Sequence, residues 1–167
     1  MSLHLRPVSE TEFALVQNVE VEPDQTRFSG TVAQAFEEAE EGVDFHALFE
    51  ADQPVGFFKL DQLYHQQYDF VRAQDLGLRA FMIDRRCQGR GLATAAVKLL
   101  PAYVPQHYPD RHSVILTVNL QNPAAIACYL KGGFTDTGEI VAQGLAGPQH
   151  ILQLPLHPLR KSEPHRG

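Results

Sequence analysis

Residues 76–98, with the sequence LGLRAFMIDRRCQGRGLATAAVK, decide the fold of this chain. The first part carries apolar residues at even spacing on one face, which predicts a β-strand. These residues are Leu76, Leu78, Ala80 and Met82. Phe81 and Ile83 are apolar on the opposite face, so we expect the end of the strand to be buried on both sides. A polar turn follows, and a helix is predicted to begin at Leu92.

The turn between this strand and this helix is a candidate anion site. Its residues 86–91 read RCQGRG. Gly89 and Gly91 have no Cβ, so the backbone can adopt a positive φ and approach a ligand closely. The first N–H groups of the helix have no partner within the helix, and its dipole directs positive charge toward the turn. Such an arrangement suits a pyrophosphate.

Two other phosphate-binding patterns fit this turn less well. A Walker phosphate loop is excluded because no Gly-Lys-Ser/Thr follows the glycines. A dinucleotide fingerprint fits poorly, since the pattern ends in Thr94 and the next predicted strand ends in Asn119 rather than in an acidic residue. The residues of the turn by themselves are also compatible with a strand-to-helix connection that binds no ligand.

Length and composition indicate one globular domain. The chain has 167 residues, of which 44% are hydrophobic, and we assign residues 1–155 to the domain and 156–167 to a flexible tail. No apolar run reaches the ~18 residues of a membrane span, and we expect no signal peptide before the first strand. Cys87 and Cys128 are too few to suggest a disulfide framework, so a cytoplasmic location is expected.

Charge is distributed unevenly along the chain, whose net charge is -6. Acidic residues outnumber basic ones in residues 1–75, and basic residues outnumber acidic ones in residues 76–167. The two halves are therefore expected to present different electrostatic fields. This pattern is compatible with an anionic ligand on one side and a cationic one on the other, or with ordinary solvated surface.

The remaining elements follow from periodicity. Strands are predicted over residues 3–7, 45–50, 55–60, 114–118, 134–140 and 150–154, and helices over 10–19, 32–41 and 123–131. Pro101 should kink or end the helix that begins at Leu92. The strand, helix and strand between residues 76 and 118 form the one strong βαβ unit, which should be parallel and right-handed, so the sheet should be mixed. Residues 61–74 are either a substrate loop or a docked connection.

A second informative stretch is NLQNPAAIACYLKGGF, residues 119–134. Asn122 and Pro123 are typical of an N-cap and first helical residue. Gly132 and Gly133 are typical of a helix end. Tyr129 follows Asn122 by seven residues and should lie on the same helix face.

Both stretches resemble the GCN5-related N-acetyltransferases. Residues 86–91 resemble motif A of that family, Arg/Gln-x-x-Gly-x-Gly/Ala, and residues 122–134 resemble motif B, Asn-x-x-Ala-x-x-x-Tyr-x-x-x-Gly-Phe. The matching residues are Arg86, Gly89 and Gly91, then Asn122, Ala125, Tyr129, Gly133 and Phe134. The resemblance implies an α/β fold with a mixed, mostly antiparallel sheet, one parallel βαβ unit, a splayed pair of central strands and helices on both faces.

The resemblance also implies an activity, the transfer of an acetyl group from acetyl-CoA to a primary amine with both substrates bound at once. Pantetheine would lie in the gap beside the central strand. The implied cofactor-binding residues are Phe81, Met82, Ile83, Arg86, Gln88, Gly89, Arg90, Gly91, Leu92, Ala93, Thr94, Asn122 and Ala125. Of these, Gln88 to Thr94 would hold the pyrophosphate through their N–H groups.

The resemblance makes Tyr129 the candidate general acid, which would protonate the leaving thiolate. Its alternative role is that of a core tyrosine. Some members carry a base, Glu, on the central strand where this chain has Gly77, so Asp75, two residues earlier, is the candidate base; a solvated strand start is the alternative. Histidines and cysteines show no metal-ligand spacing, and no metal site is predicted.

The acceptor is expected to be a cationic amine such as a polyamine. Acidic residues should line the acceptor side and attract a cation. They are Glu10, Glu12, Glu20, Glu22, Asp24, Glu37, Glu38, Glu40, Glu41, Asp61 and Asp69. The segment 80–89 also resembles that of bacterial polyamine acetyltransferases. A non-catalytic acyl-CoA-binding regulator and a protein N-acetyltransferase remain alternatives; no nucleic-acid or membrane partner is expected, and a homodimer is left open.

Overall fold

A seven-stranded sheet forms the centre of the protein in the computed structural model, which describes residues 2–142 and 147–157. The strand order is β1-β2-β3-β4-β5-β7-β6. The strands are β1 (Leu3–Val8), β2 (Val43–Glu50), β3 (Gln53–Asp61), β4 (Asp75–Ile83), β5 (Ser113–Asn119), β6 (Thr135–Val141) and β7 (Gln149–Pro155). Within these ranges β4 and β5 are parallel, and all other neighbours are antiparallel.

Helices cover both faces of this sheet, as expected. They are α1 (Phe13–Val16), α2 (Thr26–Ser29), α3 (Val32–Glu37), α4 (Leu92–His107) and α5 (Pro123–Gly132). Helices α4 and α5 share one face, where Leu100 and Val104 pack on Leu76 and Leu116. On the opposite face α1 and α3 bury an apolar cluster around Phe57. The predicted fold class is confirmed.

Strands β4 and β5 separate soon after they begin. Their parallel ladder contains only the pairs Asp75–Ser113, Leu76–Val114 and Gly77–Ile115. Beyond Gly77 the two strands diverge, which confirms the expected splay. Backbone groups along this gap have no neighbouring strand to bond, and such groups require another partner.

A β-bulge at Ala80 changes which side chains share a face of β4. Ala80 has a φ of 54°, and two residues of β4, Ala80 and Phe81, lie opposite Phe58 alone on β3. As a result Phe81 packs on the α4 side with Leu78, whereas Ala80 and Met82 pack on the α1–α3 side. The prediction that Leu76, Leu78, Ala80 and Met82 share a face is wrong, because a bulge breaks the alternation of side chains.

Two helices are shorter than predicted, and the one expected over residues 32–41 ends at Glu37. The helix expected over residues 10–19 is confined to Phe13–Val16, although Val16 and Val19 are buried as predicted. Of the two outcomes expected at Pro101, the early end is wrong, because helix α4 continues through Pro101 and Pro105 to His107, and the kink stays a prediction. Tyr103 and Val104 are buried beyond the first proline. Their burial, at ~1.5–3 kcal/mol for a large apolar side chain, is enough to offset the ~3 kcal/mol that a proline costs inside a helix.

Most of the predicted tail, residues 158–167, lies outside the described residues, as does Gly144 of the last loop. Leu156, at the start of that tail, is buried, and its N–H donates to the carbonyl of His112. None of the helices in the described ranges is long and apolar enough to cross a bilayer.

Candidate active site

A cavity of about 610 Å³ lies where β4 and β5 diverge. Its walls come from β3, β4, β5, β7, α2, the segment that follows β3, the first turn of α4 and most of the length of α5, so that residues from both faces of the sheet reach it. Many of the predicted site residues line it. They are Phe81, Met82, Ile83, Gln88, Ala93, Asn122, Ala125 and Tyr129.

The glycine turn lies beside the cavity, whose wall includes the flanking residues Gln88 and Ala93 but neither glycine, and it has the conformation that the sequence predicted. Gly89 and Gly91 have φ values of 83° and 75°, and a Cβ built on either one would meet no atom within 4 Å. Gly91 is the N-cap of α4, and no side chain caps this helix. The first N–H groups of α4 therefore adjoin open space, a geometry that suits a phosphate group.

The arginines of the turn contact protein carboxylates and do not line the cavity. Arg86 donates to Asp84 at 2.6 Å and to the carbonyl of Asn18 at 2.9 Å. Arg90 forms a bidentate pair with Glu50, with distances of 2.5 and 3.1 Å. Their contacts indicate that both side chains hold the turn in place.

Residues next to these arginines also contact the body of the protein. Gln88 donates through its side-chain amide to the carbonyl of Ile83 at 3.0 Å. Leu92 is buried beneath the turn. The Thr94 side chain hydrogen bonds to Cys128, whose pKa is raised chiefly by burial.

Helix α5 presents Tyr129 to the cavity. Asn122 caps the helix by accepting from the N–H of Ala125, and Pro123 occupies the first turn, as predicted. Near its end the helix lies close against α4, since a Cβ on Gly132 would be 2.2 Å from Val97. This close contact fixes the position of the last turn of α5, which carries Tyr129.

Tyr129 combines burial with an unbonded hydroxyl. Its ring is buried and meets Phe81 and Phe134 edge-on, with centroid distances of 5.8 and 5.6 Å. The hydroxyl makes no hydrogen bond to any residue in the described ranges. Burial raises the pKa of Tyr129, so the phenol keeps its proton at neutral pH.

Asp75 is separated from these groups. It does not line the cavity, and its carboxylate accepts from the Ser113 hydroxyl at 2.6 Å and from the N–H of Arg72 at 3.0 Å. With both oxygens bonded inside the protein, Asp75 has the environment of a structural residue at the start of β4. The position of Gly77 is closed as well, since the ring of Tyr64 covers it.

Basic residues that sequence reasoning missed line the cavity on the α1–α3 side. Lys59 of β3 lies opposite Arg79 of β4, and both line the cavity, as does Arg27 of α2. Lys59 stands in the otherwise apolar segment Phe57-Phe58-Lys59-Leu60. A charged residue within a buried strand is a signal that could have identified it.

Acidic residues are absent from the cavity wall, as far as the described residues define it. Asp61 and Glu40, which were expected to face the acceptor, instead bind Nη1 of Arg79 at 3.0 and 2.9 Å. Within residues 2–142 and 147–157, no group of His, Cys, Asp and Glu side chains could hold a metal ion.

Comparison with known families identifies the fold and its motifs. Residues 10–134 match the model of the acetyltransferase (GNAT) family. This chain belongs to the GNAT family. Both motifs and the cavity lie within or beside the matched residues.

Individual relatives agree with this assignment. The "Uncharacterized N-acetyltransferase YbbJ" of Bacillus subtilis (strain 168) is 33% identical over 96 residues, which are 54% of this chain and 58% of that protein. The aligned region thus spans little more than half of the relative.

Solved structures show the same fold. The aminoglycoside acetyltransferase AAC(6')-Ib, in complex with paromomycin and acetyl-CoA, superposes with a TM-score of 0.76 at 19% identity, covering 93% of this chain and 94% of that one. A chimera of the Vibrio cholerae spermidine N-acetyltransferase SpeG with hSSAT superposes with a TM-score of 0.69 at 16% identity, covering 92% and 95%.

Proposed function

We propose that this protein is an acetyl-CoA-dependent N-acetyltransferase that acts on a primary amine. The observation that carries the proposal is the unbonded hydroxyl of Tyr129 in the cavity between β4 and β5. The family assignment and the N-acetyltransferase name of the Bacillus relative support it.

The residues around the cavity fit acetyl-CoA. The turn at Gly89 and Gly91 and the uncapped start of α4 suit the pyrophosphate. The divergence of β4 beyond Gly77 leaves backbone groups that an extended pantetheine arm with amide groups can bond. Asn122 and Ala125, at the start of α5, line the cavity beside this path.

Acetyl-CoA supplies an activated acetyl group, so that a C–N bond forms as the thioester C–S bond breaks. Tyr129 would donate its proton to the departing sulfur, because its phenol stays protonated at neutral pH and makes no competing hydrogen bond. The phenol would regain a proton from solvent after the product leaves.

The proton of the acceptor ammonium leaves by another route. No carboxylate of the described residues lines the cavity, and Asp75 is bonded elsewhere. We therefore do not retain Asp75 as the base, and we expect the amine to lose its proton to water. The rate should then rise with pH up to the pKa of the acceptor, since only the neutral amine attacks.

The finer expectation of a polyamine acceptor has less support. It rested on acidic residues around the acceptor, and the cavity wall carries basic ones. The spermidine and aminoglycoside acetyltransferases share the fold at 16% and 19% identity, which does not indicate a common acceptor. A cytoplasmic location, a homodimer and the absence of nucleic-acid and membrane partners stay predictions.

Release of free thiol tests this function. The purified protein is incubated with acetyl-CoA and a panel of primary amines. In a parallel reaction an unrelated, unfolded polypeptide replaces the amines as the acceptor. Turnover with small amines that falls in Tyr129→Phe and persists in Tyr103→Phe supports the proposal, because Tyr103 bonds His46 outside the cavity. Tight acetyl-CoA binding without turnover of any amine would favour the non-catalytic regulator, and turnover confined to the polypeptide would favour a protein acetyltransferase.

A further inference from the structure

Lys59 is a largely covered residue whose ammonium has no partner among the described residues. Only 8% of the surface of this residue is exposed. It lies on β3, which neighbours β4 at the edge of the gap. It makes no hydrogen bond and no ion pair with any of the described residues. Its aliphatic stem is covered, but its ammonium is not shut off from solvent and opens into the cavity, where a ligand can reach it. The side chain lines the cavity on the α1–α3 side of the sheet.

The surroundings of Lys59 make this part of the cavity wall basic. Arg79 lies directly across the β3–β4 ladder, and it is held by Asp61 and Glu40 through Nη1 alone. Its Nε and Nη2 atoms make no hydrogen bond to the described residues. Arg27, exposed on α2, adds a third positive charge to the wall.

Acidic groups near Lys59 do not neutralise it by contact. Glu38, Glu40 and Asp61 act on Lys59 through space, and Arg79 opposes them. Two of these carboxylates, Glu40 and Asp61, are already bonded to Arg79, and Glu38 makes no hydrogen bond or ion pair with Lys59 in the described residues. A ligand anion is therefore the partner that the unpaired ammonium lacks.

We propose that the acceptor is an amine that also carries a carboxylate, and that Lys59 binds this carboxylate while the amine points through the gap toward Tyr129. This inference rests on the proposed acetyltransferase function. The two groups sit on opposite sides of the sheet gap, Lys59 on the α1–α3 side and Tyr129 on the α4–α5 side. An acceptor with an anion at one end and an amine at the other could contact both sides of the gap at once.

The unpaired ammonium favours a carboxylate over a group of higher charge. Lys59 offers one full charge, and the charge of Arg79 is already shared with two carboxylates. A ligand with a single negative charge would therefore balance the charge of Lys59, with which no carboxylate of the described residues is in contact. A polyamine, by contrast, would place a second ammonium against Lys59, which like-charge repulsion opposes.

Matched acceptors test the proposal. We compare ω-amino carboxylates of two to six carbons, their neutral amides and diamines of the same lengths, together with α-amino acids and their amides, in the wild type, Lys59→Met and the exposed control Lys98→Met. The wild type should prefer carboxylate acceptors over the amides by about 10- to 100-fold in kcat/KM, as expected for a charged hydrogen bond. In Lys59→Met the preference should vanish through a higher KM for the carboxylates, with KM for the amides unchanged.

The outcomes separate this inference from the function it rests on. If amides or diamines are the better acceptors of the wild type, the carboxylate assignment fails while the acetyltransferase function stands. An equal fall of kcat for all acceptors in Lys59→Met would mean that Lys59 moves a proton, which also overturns the inference. If no amine of any class is acetylated, the proposed function itself fails.

Discussion

The ring of Tyr64 occupies the space into which a side chain at residue 77 would project. A Cβ built on Gly77 would lie 2.2 Å from Cγ of Tyr64, and Tyr64 is buried with its hydroxyl 3.4 Å from Thr117 Oγ1. Glycine at 77 and tyrosine at 64 are therefore a matched pair. They exclude a carboxylate base from the central strand at this position.

Gly77→Ala should destabilise the protein by about 1–3 kcal/mol, the usual range for overpacking a buried site. Urea unfolding measures the change. Gly77→Ala combined with Tyr64→Ala should lose less stability than the sum of the two single variants, because the double variant removes the clash. Strict additivity would show that the ring moves away freely.

Gly89→Val should weaken acetyl-CoA binding measured by calorimetry. A branched side chain would fill the space beside the turn and strain a backbone with φ of 83°. Gly138→Val is a matched control, since Gly138 has a φ of 82° and an equally open environment on β6, whereas Gly89 directly follows the cavity-lining Gln88. Equal affinities in Gly89→Val and the wild type would contradict the assignment of the turn.

Tyr129→Phe should lower kcat by about 10²-fold or more while the Kd for acetyl-CoA changes little. The substitution keeps the contacts with Phe81 and Phe134 and removes only the proton that would reach sulfur. Single-turnover kinetics separates the chemical step from product release. An unchanged chemical step would assign Tyr129 to the core alone.

His46 should make the fold sensitive to acid. It is 1% exposed, between the hydroxyls of Tyr103 and Tyr108, and burial lowers its pKa to about 3 from 6.5. The unfolded chain binds the proton more readily, so stability is complete above pH 6.5 and is lost as the pH falls toward 3, by on the order of 4 kcal/mol. Between pH 7 and 4 the free energy of unfolding, measured with urea, should fall less for His46→Gln than for the wild type. The control His157→Gln, at an exposed position, should behave like the wild type.

Lys59→Met should stabilise the protein by less than about 1 kcal/mol at neutral pH, because it replaces an unpaired, partly desolvated charge by an apolar chain of similar length, and contact of the ammonium with the open cavity reduces the gain. Burial, with a contribution from Arg79, lowers the pKa of Lys59, so the cost of the charge is largest below that pKa and disappears as the pH rises past 10.5. The gain in free energy of unfolding should therefore shrink at high pH. No gain, or the same gain in Lys98→Met, would show that the ammonium is well solvated.

Local signals made the turn and α5 predictable from sequence. Asn122, Pro123 and Gly133 act on their own helix, and Gly89 and Gly91 adopt the positive φ values for which glycine is suited. The bulge at Ala80 could not be predicted in this way. A non-glycine residue at φ of 54° has no local sequence signal, and the surrounding strands hold it there.

The charge pattern was the least reliable guide to the site. The number of acidic residues in each half of the sequence does not reveal how β3 pairs with β4. That pairing places Lys59 opposite Arg79. Nor does that number indicate that Asp61 is buried against Arg79. Ion pairs form between residues distant in sequence, so only the register decides which charge remains unpaired.

Because the ladder between β4 and β5 is short, the stability of the fold should depend on the concentration of a ligand that binds along it. Only three residue pairs join the two halves of the sheet there. A molecule that bonds the exposed edges binds the folded chain and not the unfolded one, so each tenfold rise in its concentration above Kd adds about 1.4 kcal/mol to the free energy of unfolding. If acetyl-CoA is that molecule, the protein will resist proteolysis best when acetyl groups are abundant.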